Sequence, residues 1–263
     1  MDIQQLKSFK ILIIGDSCTD VYNYGVCERL SPEAPVPVLK IVYTEEKPGM
    51  SLNVENNLKA FKHETILITN SEKIIKERFV DQRSMQHLLR VDTGEGDKDI
   101  INSIDLGLLK AIKNINFDFD CVVISDYDKG FLTYESCYDA VSLLSKTKKP
   151  IFVDSKKKDL TCFKNCIIKI NEKEFRSLKE IDESSEMIVT LGSSGAMWNK
   201  KMFPTEPENV FDVCGAGDTF LSALVTAYMS TNNMEQSIEF ANKCARISVK
   251  RFGNYVVSLE DLK

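Results

Sequence analysis

Asp212-Val213-Cys214-Gly215-Ala216-Gly217-Asp218-Thr219-Phe220 is the stretch that organises this chain. Two glycines bracket an alanine, an aspartate follows at once, and an apolar run continues over 220–229. The glycines permit a tight turn, and the run that follows reads as a helix. The first N–H groups of such a helix lack partners inside it, so they and the helix dipole converge on a spot that favours an anion. Asp218 sets a carboxylate beside that spot. Phosphate held by backbone N–H groups, next to a base for a hydroxyl proton, is the outline of a phosphoryl-transfer site. An ordinary helix N-terminus with an acid in its first turn fits the same residues, so the rest of the chain must decide.

Upstream, Lys10-Ile11-Leu12-Ile13-Ile14-Gly15-Asp16 is an apolar run ending in Gly-Asp. It reads as a buried strand opening into a loop at its C-terminal end, where α/β sheets place their ligands. Further strands are expected at 65–69, 121–127, 151–154, 166–170 and 187–191, most of them running into Asp, Asn, Gly or Ser. Helices are expected over 51–61, 104–112, 134–145, 217–229 and from 234 to about 250. Ser31-Pro32-Glu33-Ala34-Pro35-Val36-Pro37-Val38 carries three prolines, which cannot donate to a strand ladder. That segment belongs at an edge, a lid or a connection. Exposed strand follows at 38–42, and 79–91 alternates weakly as two short strands. Strands alternating with helices predict an α/β fold with a mainly parallel sheet. One domain over 1–263 is expected, with a small β lid from about 16–42 and 79–92.

The 263 residues are 43% hydrophobic and 28% charged, the make-up of a soluble globular chain able to bury a core. A net charge of -5 weighs against nucleic acid as a partner, yet it leaves room for a local positive pocket. No run is long enough to span a membrane, and residues 1–7 lack the apolar core of a secretory signal. A cytoplasmic protein with no membrane partner is therefore expected. The eight cysteines form no C-x-x-C pair, and His63 and His87 are the only histidines, so zinc is not expected.

Several chemistries are absent. There is no P-loop motif, Phe220 stands where a dinucleotide fingerprint needs its third glycine, and protein-kinase signatures are missing. What remains comes as a set. Asn171 and Glu174 are three apart and share a helical face, with oxygens suited to a hydrated Mg²⁺; the same spacing also makes a helix capping box. Gly192-Ser193-Ser194-Gly195 lets a nucleotide approach the backbone, or is simply a hairpin loop. Lys156, Lys157 and Lys158 bring positive charge to a strand end, or form a solvated loop.

In chain order these features resemble the ribokinase family of carbohydrate kinases, most specifically through the stretch from Asp212 to Phe220. A narrower likeness, to kinases acting on D-glycero-β-D-manno-heptose 7-phosphate, rests on four stretches. They are Gly15-Asp16 with Asp20 and Tyr22-Asn23-Tyr24-Gly25, Arg29-Leu30-Ser31-Pro32-Glu33-Ala34-Pro35-Val36-Pro37-Val38, Arg83-Ser84-Met85-Gln86-His87-Leu88-Leu89-Arg90-Val91-Asp92, and Ser125-Asp126-Tyr127-Asp128-Lys129-Gly130.

The resemblance implies an ATP- and Mg²⁺-dependent kinase in which Asp218 takes the proton from the sugar hydroxyl. The N–H groups of Gly215, Ala216 and Gly217 would hold the transferring phosphoryl. It implies that Asn171 and Glu174 organise Mg²⁺ through water, and that Gly192, Gly195, Asn242 and Lys156 line the nucleotide pocket. Asp212, with Gly253 as a carbonyl partner, matches a monovalent-cation position, so K⁺ is a further expected cofactor. On the sugar side, Asp16, Asp20 and Asn53 would meet hydroxyls, and Arg29 and Arg90 the phosphate already on the substrate.

The chain departs from the family pattern where Gly49-Met50-Ser51-Leu52-Asn53 has methionine in place of a second glycine, where Glu55 replaces a small residue, and where 69–78 is compacted. The expected reaction is phosphorylation of the anomeric hydroxyl of a heptose 7-phosphate. Two alternatives stand: a kinase of the same fold for another sugar, sugar phosphate or nucleoside, and a non-catalytic sugar- or nucleotide-binding relative. A homodimer through the lid strands is expected, and no nucleotidyltransferase is expected after Lys263.

Overall fold

Ile11, Leu12, Ile13 and Ile14 are all buried, because the strand that carries them has packed layers on both faces. The computed structural model of the chain describes residues 3–95, 105–206, 208, 210–251 and 253–263. Among these, after a 3-10 turn at Ile3–Gln5, come β1 (Lys10–Gly15), β2 (Ser17–Leu30), β3 (Pro37–Met50), α1 (Ser51–Ala60) and β4 (Glu64–Ile68). Next come β5 (Ile75–Asp81), β6 (Gln86–Thr93), α2 (Asp105–Asn114), β7 (Cys121–Asp126), α3 (Tyr134–Leu144), β8 (Ile151–Ser155) and β9 (Asp159–Leu160). The remainder is β10 (Ile167–Asn171), α4 (Glu172–Ser177), β11 (Glu180–Ile181), β12 (Glu186–Thr190), β13 (Ala196–Trp198), β14 (Lys201–Phe203), α5 (Ala216–Thr231) and α6 (Met234–Ser248). The expected helix start at Ile104 lies outside the described residues.

An eight-stranded sheet runs in the order β14-β13-β12-β10-β8-β7-β1-β4. The strands from β12 to β4 pair in parallel, and only β13 and β14 at one edge are antiparallel. Strand side chains alternate between faces. Ile11 and Ile13 therefore join one core with Phe220, Leu221 and Leu224 of α5, while Leu12 and Ile14 join another with Ile112 of α2 and Val141 of α3. Each such buried side chain contributes roughly 1.5–3 kcal/mol.

From β1 the chain passes to β4 on one side and later to β7 on the other. That reversal opens a crevice beyond the C-terminal ends of β1 and β7, where α/β sheets bind ligands. The crevice begins at Gly15, where a Cβ would sit 2.0 Å from the Ser125 carbonyl oxygen, so only glycine fits.

The lid is a second sheet, ordered β3-β2-β5-β6, that branches off after β1 and again after β4. It is larger than the sequence pattern predicts: β2 begins one residue after Asp16, β3 runs on to Met50, and β5 starts at Ile75. The buried positions of β5 are Lys76, Arg78 and Val80, so its inward face is largely charged and the apolar alternation that marks a strand is missing. Residues 69–74 join β4 to β5 without a helix. Asn70 ties that link down, accepting from the Ser17 N–H at 2.7 Å and donating to the Ser17 and Glu72 carbonyls.

All eight cysteines are free thiols. Among the described residues no helix is long and apolar enough to cross a membrane, and no three His, Cys, Asp or Glu side chains are grouped to hold a metal.

Candidate active site

Gly215 precedes α5 with φ at 73°, a left-handed conformation that glycine adopts without a side-chain clash. No side chain caps the helix; the Ala216 N–H turns back to the Val213 carbonyl at 3.3 Å, and the first turn faces a cavity. A Cβ on Gly215 would lie 2.8 Å from Asn53 Nδ2, and one on Gly217 would lie 3.0 Å from Lys169 Nζ. The turn is thus packed between an amide from α1 and an ammonium from β10.

Asp218, in the first turn of α5, is buried. Asn53 Nδ2 donates to its Oδ2 at 2.8 Å, and the Tyr127 hydroxyl donates to its Oδ1 at 2.7 Å. Burial pushes its carboxyl up to about 6, and Asp154 adds to the rise; the two hydrogen bonds and Lys169 hold the rise back. A carboxylate titrating near 6 is ionised at neutral pH and more basic than an exposed one, which suits a general base.

Asn171 and Glu174 form a reciprocal capping box on α4. The Glu174 N–H donates to Asn171 Oδ1 at 2.9 Å and the Asn171 N–H to Glu174 Oε2 at 2.8 Å. Glu174 Oε1 also accepts from Lys156 Nζ at 3.0 Å. The capping does not bury the pair, and both residues line the cavity. Their all-oxygen chemistry fits Mg²⁺ held through its waters. Gly192 opens on free space, whereas a Cβ on Gly195 would meet the Phe203 carbonyl oxygen at 2.1 Å. Asn242 Nδ2 donates to that same carbonyl at 2.8 Å.

Asp218, Gly215, Ala216, Gly217, Asn171, Glu174, Gly192, Gly195, Asn242 and Lys156 all border one cavity of about 550 Å³. Val210, Val213, Ala245 and Val249 give it an apolar wall of the kind a base ring needs.

Asp212 lies outside this cavity. Its carboxylate accepts from the Cys214 N–H at 2.9 Å and the Gly253 N–H at 2.9 Å, joining two loops. Burial alone would raise its pKa, but these amide bonds outweigh it and the net shift is downward. Gly253 meets Asp212 through its N–H, where the family resemblance predicts a carbonyl role.

The expected sugar-side residues are dispersed. Asn53 reaches Asp218 directly. Asp16 is fully buried and accepts the N–H groups of Tyr127 at 2.8 Å and Phe131 at 3.2 Å, so both oxygens hold the loop after β7. Burial, and then the nearby Asp126, push it up to about 6. Asp20 is paired with Arg78 at 2.5 Å and accepts from Asn254 Nδ2 at 2.9 Å. Arg90 stands opposite Arg78 in the lid, exposed and bonded to Asp92. Arg29 is not brought in: it is exposed near the far end of β2, beyond the last β5 partner at Gly25.

Met50 occupies its position with φ at 58° and ψ at -129°, a conformation that costs a non-glycine residue of order 1–3 kcal/mol. Its side chain is buried against Cys18, Ile74 and Tyr127, filling space beside the reacting end of the crevice. Glu55 instead accepts from Thr65 at 2.9 Å and pairs with Lys59 at 2.8 Å, so its charge is spent on α1 and β4.

Sequence reasoning missed Tyr127, Lys169 and Asp154. Tyr127 could have been found, since it follows a buried strand at the crevice edge. Lys169 sits inside the run 166–170, which hid a buried ammonium bonded to Asp154 at 2.6 Å.

The chain is similar to known proteins in sequence and in fold. Residues 146–261 match the model of the pfkB family carbohydrate kinases. The chain is 32% identical over 310 residues to the bifunctional protein HldE of Sulfurimonas denitrificans, covering 98% of this chain and 65% of that one. It is 30% identical over 306 residues to the bifunctional protein HldE of Helicobacter pylori, covering 96% and 65%. The chain therefore spans just under two thirds of the length of these relatives. Phosphofructokinase-2 from Escherichia coli, solved in complex with potassium, superposes with a TM-score of 0.73 at 15% identity, over 96% of each chain. Ribokinase from Thermotoga maritima superposes at 0.65 with 16% identity, over 97% and 98%. These two structures share the fold.

Proposed function

Because the chain belongs to the pfkB family of carbohydrate kinases, we propose that it transfers the γ-phosphoryl group of ATP to the anomeric hydroxyl of a heptose 7-phosphate. The observation that carries this is the placement of Asp218. It is a buried carboxylate held by Asn53 and Tyr127, in the first turn of a helix whose glycine turn borders a nucleotide-sized cavity. The nucleotide lies along Gly192, Gly195 and Asn242 with its base against the apolar wall. Its terminal phosphate meets the turn from Gly215 to Gly217 and the Lys156 ammonium. Asn171 and Glu174 would hold Mg²⁺ through its waters, which would supply charge neutralisation for the phosphates. Asp218 accepts the hydroxyl proton as the sugar oxygen bonds to the γ-phosphorus and the bond from that phosphorus to the β–γ bridging oxygen breaks, with ADP leaving. Asp212 and the Gly253 loop are the place for K⁺, and the whole chain acts as one ribokinase-like domain in the cytoplasm. The heptose rests on the sequence stretches of the lid and on relatives named HldE.

ATP turnover across a panel of sugars, sugar phosphates and nucleosides tests the reading. Preference for a heptose 7-phosphate is the expected result. Turnover on another acceptor would move the substrate within the family, and none on any acceptor would favour a binding protein.

We also propose a dimer through the lid, supported by exposed apolar side chains on its strands, Ile41 and Val42 on β3 and Leu89 and Val91 on β6. Sedimentation is expected to give a dimer, and Ile41→Asp with Leu89→Asp a monomer. A wild-type monomer at micromolar concentration would sink this assignment.

A further inference from the structure

Lys76 lies on β5 with 8% of its surface exposed. Among the described residues its ammonium has no ion-pair or hydrogen-bond partner; the Tyr127 ring lies 5.5 Å from Nζ to the ring centre, and Asp20, Glu95 and Arg90 act on it only through space. Of the nearby acids, Asp20 is engaged by Arg78 and Asn254, while Glu95 gives Oε2 to Lys129, keeps a buried Oε1 with no hydrogen-bond partner, and pairs with no ammonium on β5. A buried ammonium without an anion is costly, and burial accordingly lowers the Lys76 pKa. Such a charge is retained where something negative arrives to meet it.

The surroundings say where. Strand alternation puts Lys76 and Arg78 on one face of the lid, and the register sets Arg90 opposite Arg78 on that face. The Arg78 guanidinium uses one nitrogen on Asp20 and lies 5.0 Å from the Tyr22 ring centre. Tyr127 links this basic group to the reacting end, since its ring faces Lys76 while its hydroxyl holds Asp218. Lys76 and Asp218 are thus one tyrosine side chain apart, a span that a hexose- or heptose-sized molecule bridges. Lys76 does not border the nucleotide cavity.

We propose that Lys76, with Arg78 and Arg90 beside it, is the subsite for the phosphate already carried by the sugar, and that the exposed Arg29 takes no part. This deepens the kinase reading and rests on it. The acceptor enters with its hydroxyl at Asp218 and its phosphomonoester at the lid, so an unphosphorylated sugar leaves a buried cation unmet.

The test is Lys76→Met, which keeps the aliphatic stem and removes the charge. Ligand-induced shifts in melting temperature are titrated with ATP, with sugar phosphates and with the matching free sugars, alongside turnover. The expected result is about a 10- to 100-fold loss in affinity for the phosphorylated sugar, with ATP and free sugar unchanged. Without ligand, Lys76→Met is expected to melt at or above the wild-type temperature, because an unmatched buried charge is gone. Weaker ATP binding with unchanged sugar-phosphate binding would overturn the proposal by giving the ammonium to the nucleotide. A lowered ligand-free melting temperature with unchanged affinities would overturn it by making the lysine structural. A wild-type chain that no phosphorylated sugar stabilises would also overturn it. Failure of the kinase reading would appear separately, as absent turnover in a wild-type chain that still binds sugar phosphates.

Discussion

Asp218→Asn is expected to reduce turnover by about 10²- to 10⁴-fold, the range for loss of a general base, while leaving ATP affinity near the wild-type value. The amide is nearly isosteric, so the glycine turn and the nucleotide wall are undisturbed, but it cannot take a proton. Stability should move the opposite way. The folded-state pKa of about 6 lies above the ordinary 3.8, so ionising Asp218 opposes folding. That penalty is absent well below pH 3.8, grows between the two values and is complete above about 6. Asp218→Asn removes it, so the variant should gain melting temperature at pH 8 relative to wild type and gain little at pH 4. Turnover within threefold of wild type would refute the assignment of the base.

Lys169→Met is expected to destabilise the chain by about 3–5 kcal/mol, because it strands the buried partner Asp154. The two side chains are 4% and 9% exposed, so solvent does little to screen the loss. Replacing both, Lys169→Met with Asp154→Leu, should recover most of it, since a well-packed apolar pair often matches a buried ion pair. Chemistry supplies a second readout. Lys169 lowers the pKa of Asp218 and Asp154 raises it, so the single variant should shift the acid limb of the kcat/KM profile above pH 6. The double variant should bring the limb back towards its original place. An unmoved limb in the single variant would show that the pair does not act on Asp218.

Much of the end that borders the large cavity was legible in the sequence because local spacing dictates it. Gly215 and Gly217 announce a turn that other residues would obstruct, and Asn171 with Glu174 announce a helix start. Helices and loops of this kind bring their ligand-facing groups to one sheet edge whatever else the chain does. The lid end was less legible. Lys76 and Arg78 are inward-facing charges on a strand, so the apolar alternation that reveals strands is absent there. Arg29 and Arg90 look alike as sequence, yet one sits at the lid's exposed tip and the other beside Arg78. Asp16 and Asp20 likewise look like two sugar acids, but in the fold the first is saturated by the Tyr127 and Phe131 amides and the second is paired with Arg78.

Sequence alone determined the parallel α/β sheet, the glycine turn before α5 and the carboxylate in its first turn, because hydrophobic period and glycine placement are local properties. Tertiary structure alone decided what surrounds that carboxylate. Asn53, Tyr127, Lys169 and Asp154 come from four distant segments, and their effect on Asp218 depends on distance and burial, which no linear spacing encodes. It also decided that Met50 keeps a glycine-like backbone and that Lys76 has no ion-pair partner among the described residues, since both follow from how the lid strands pair.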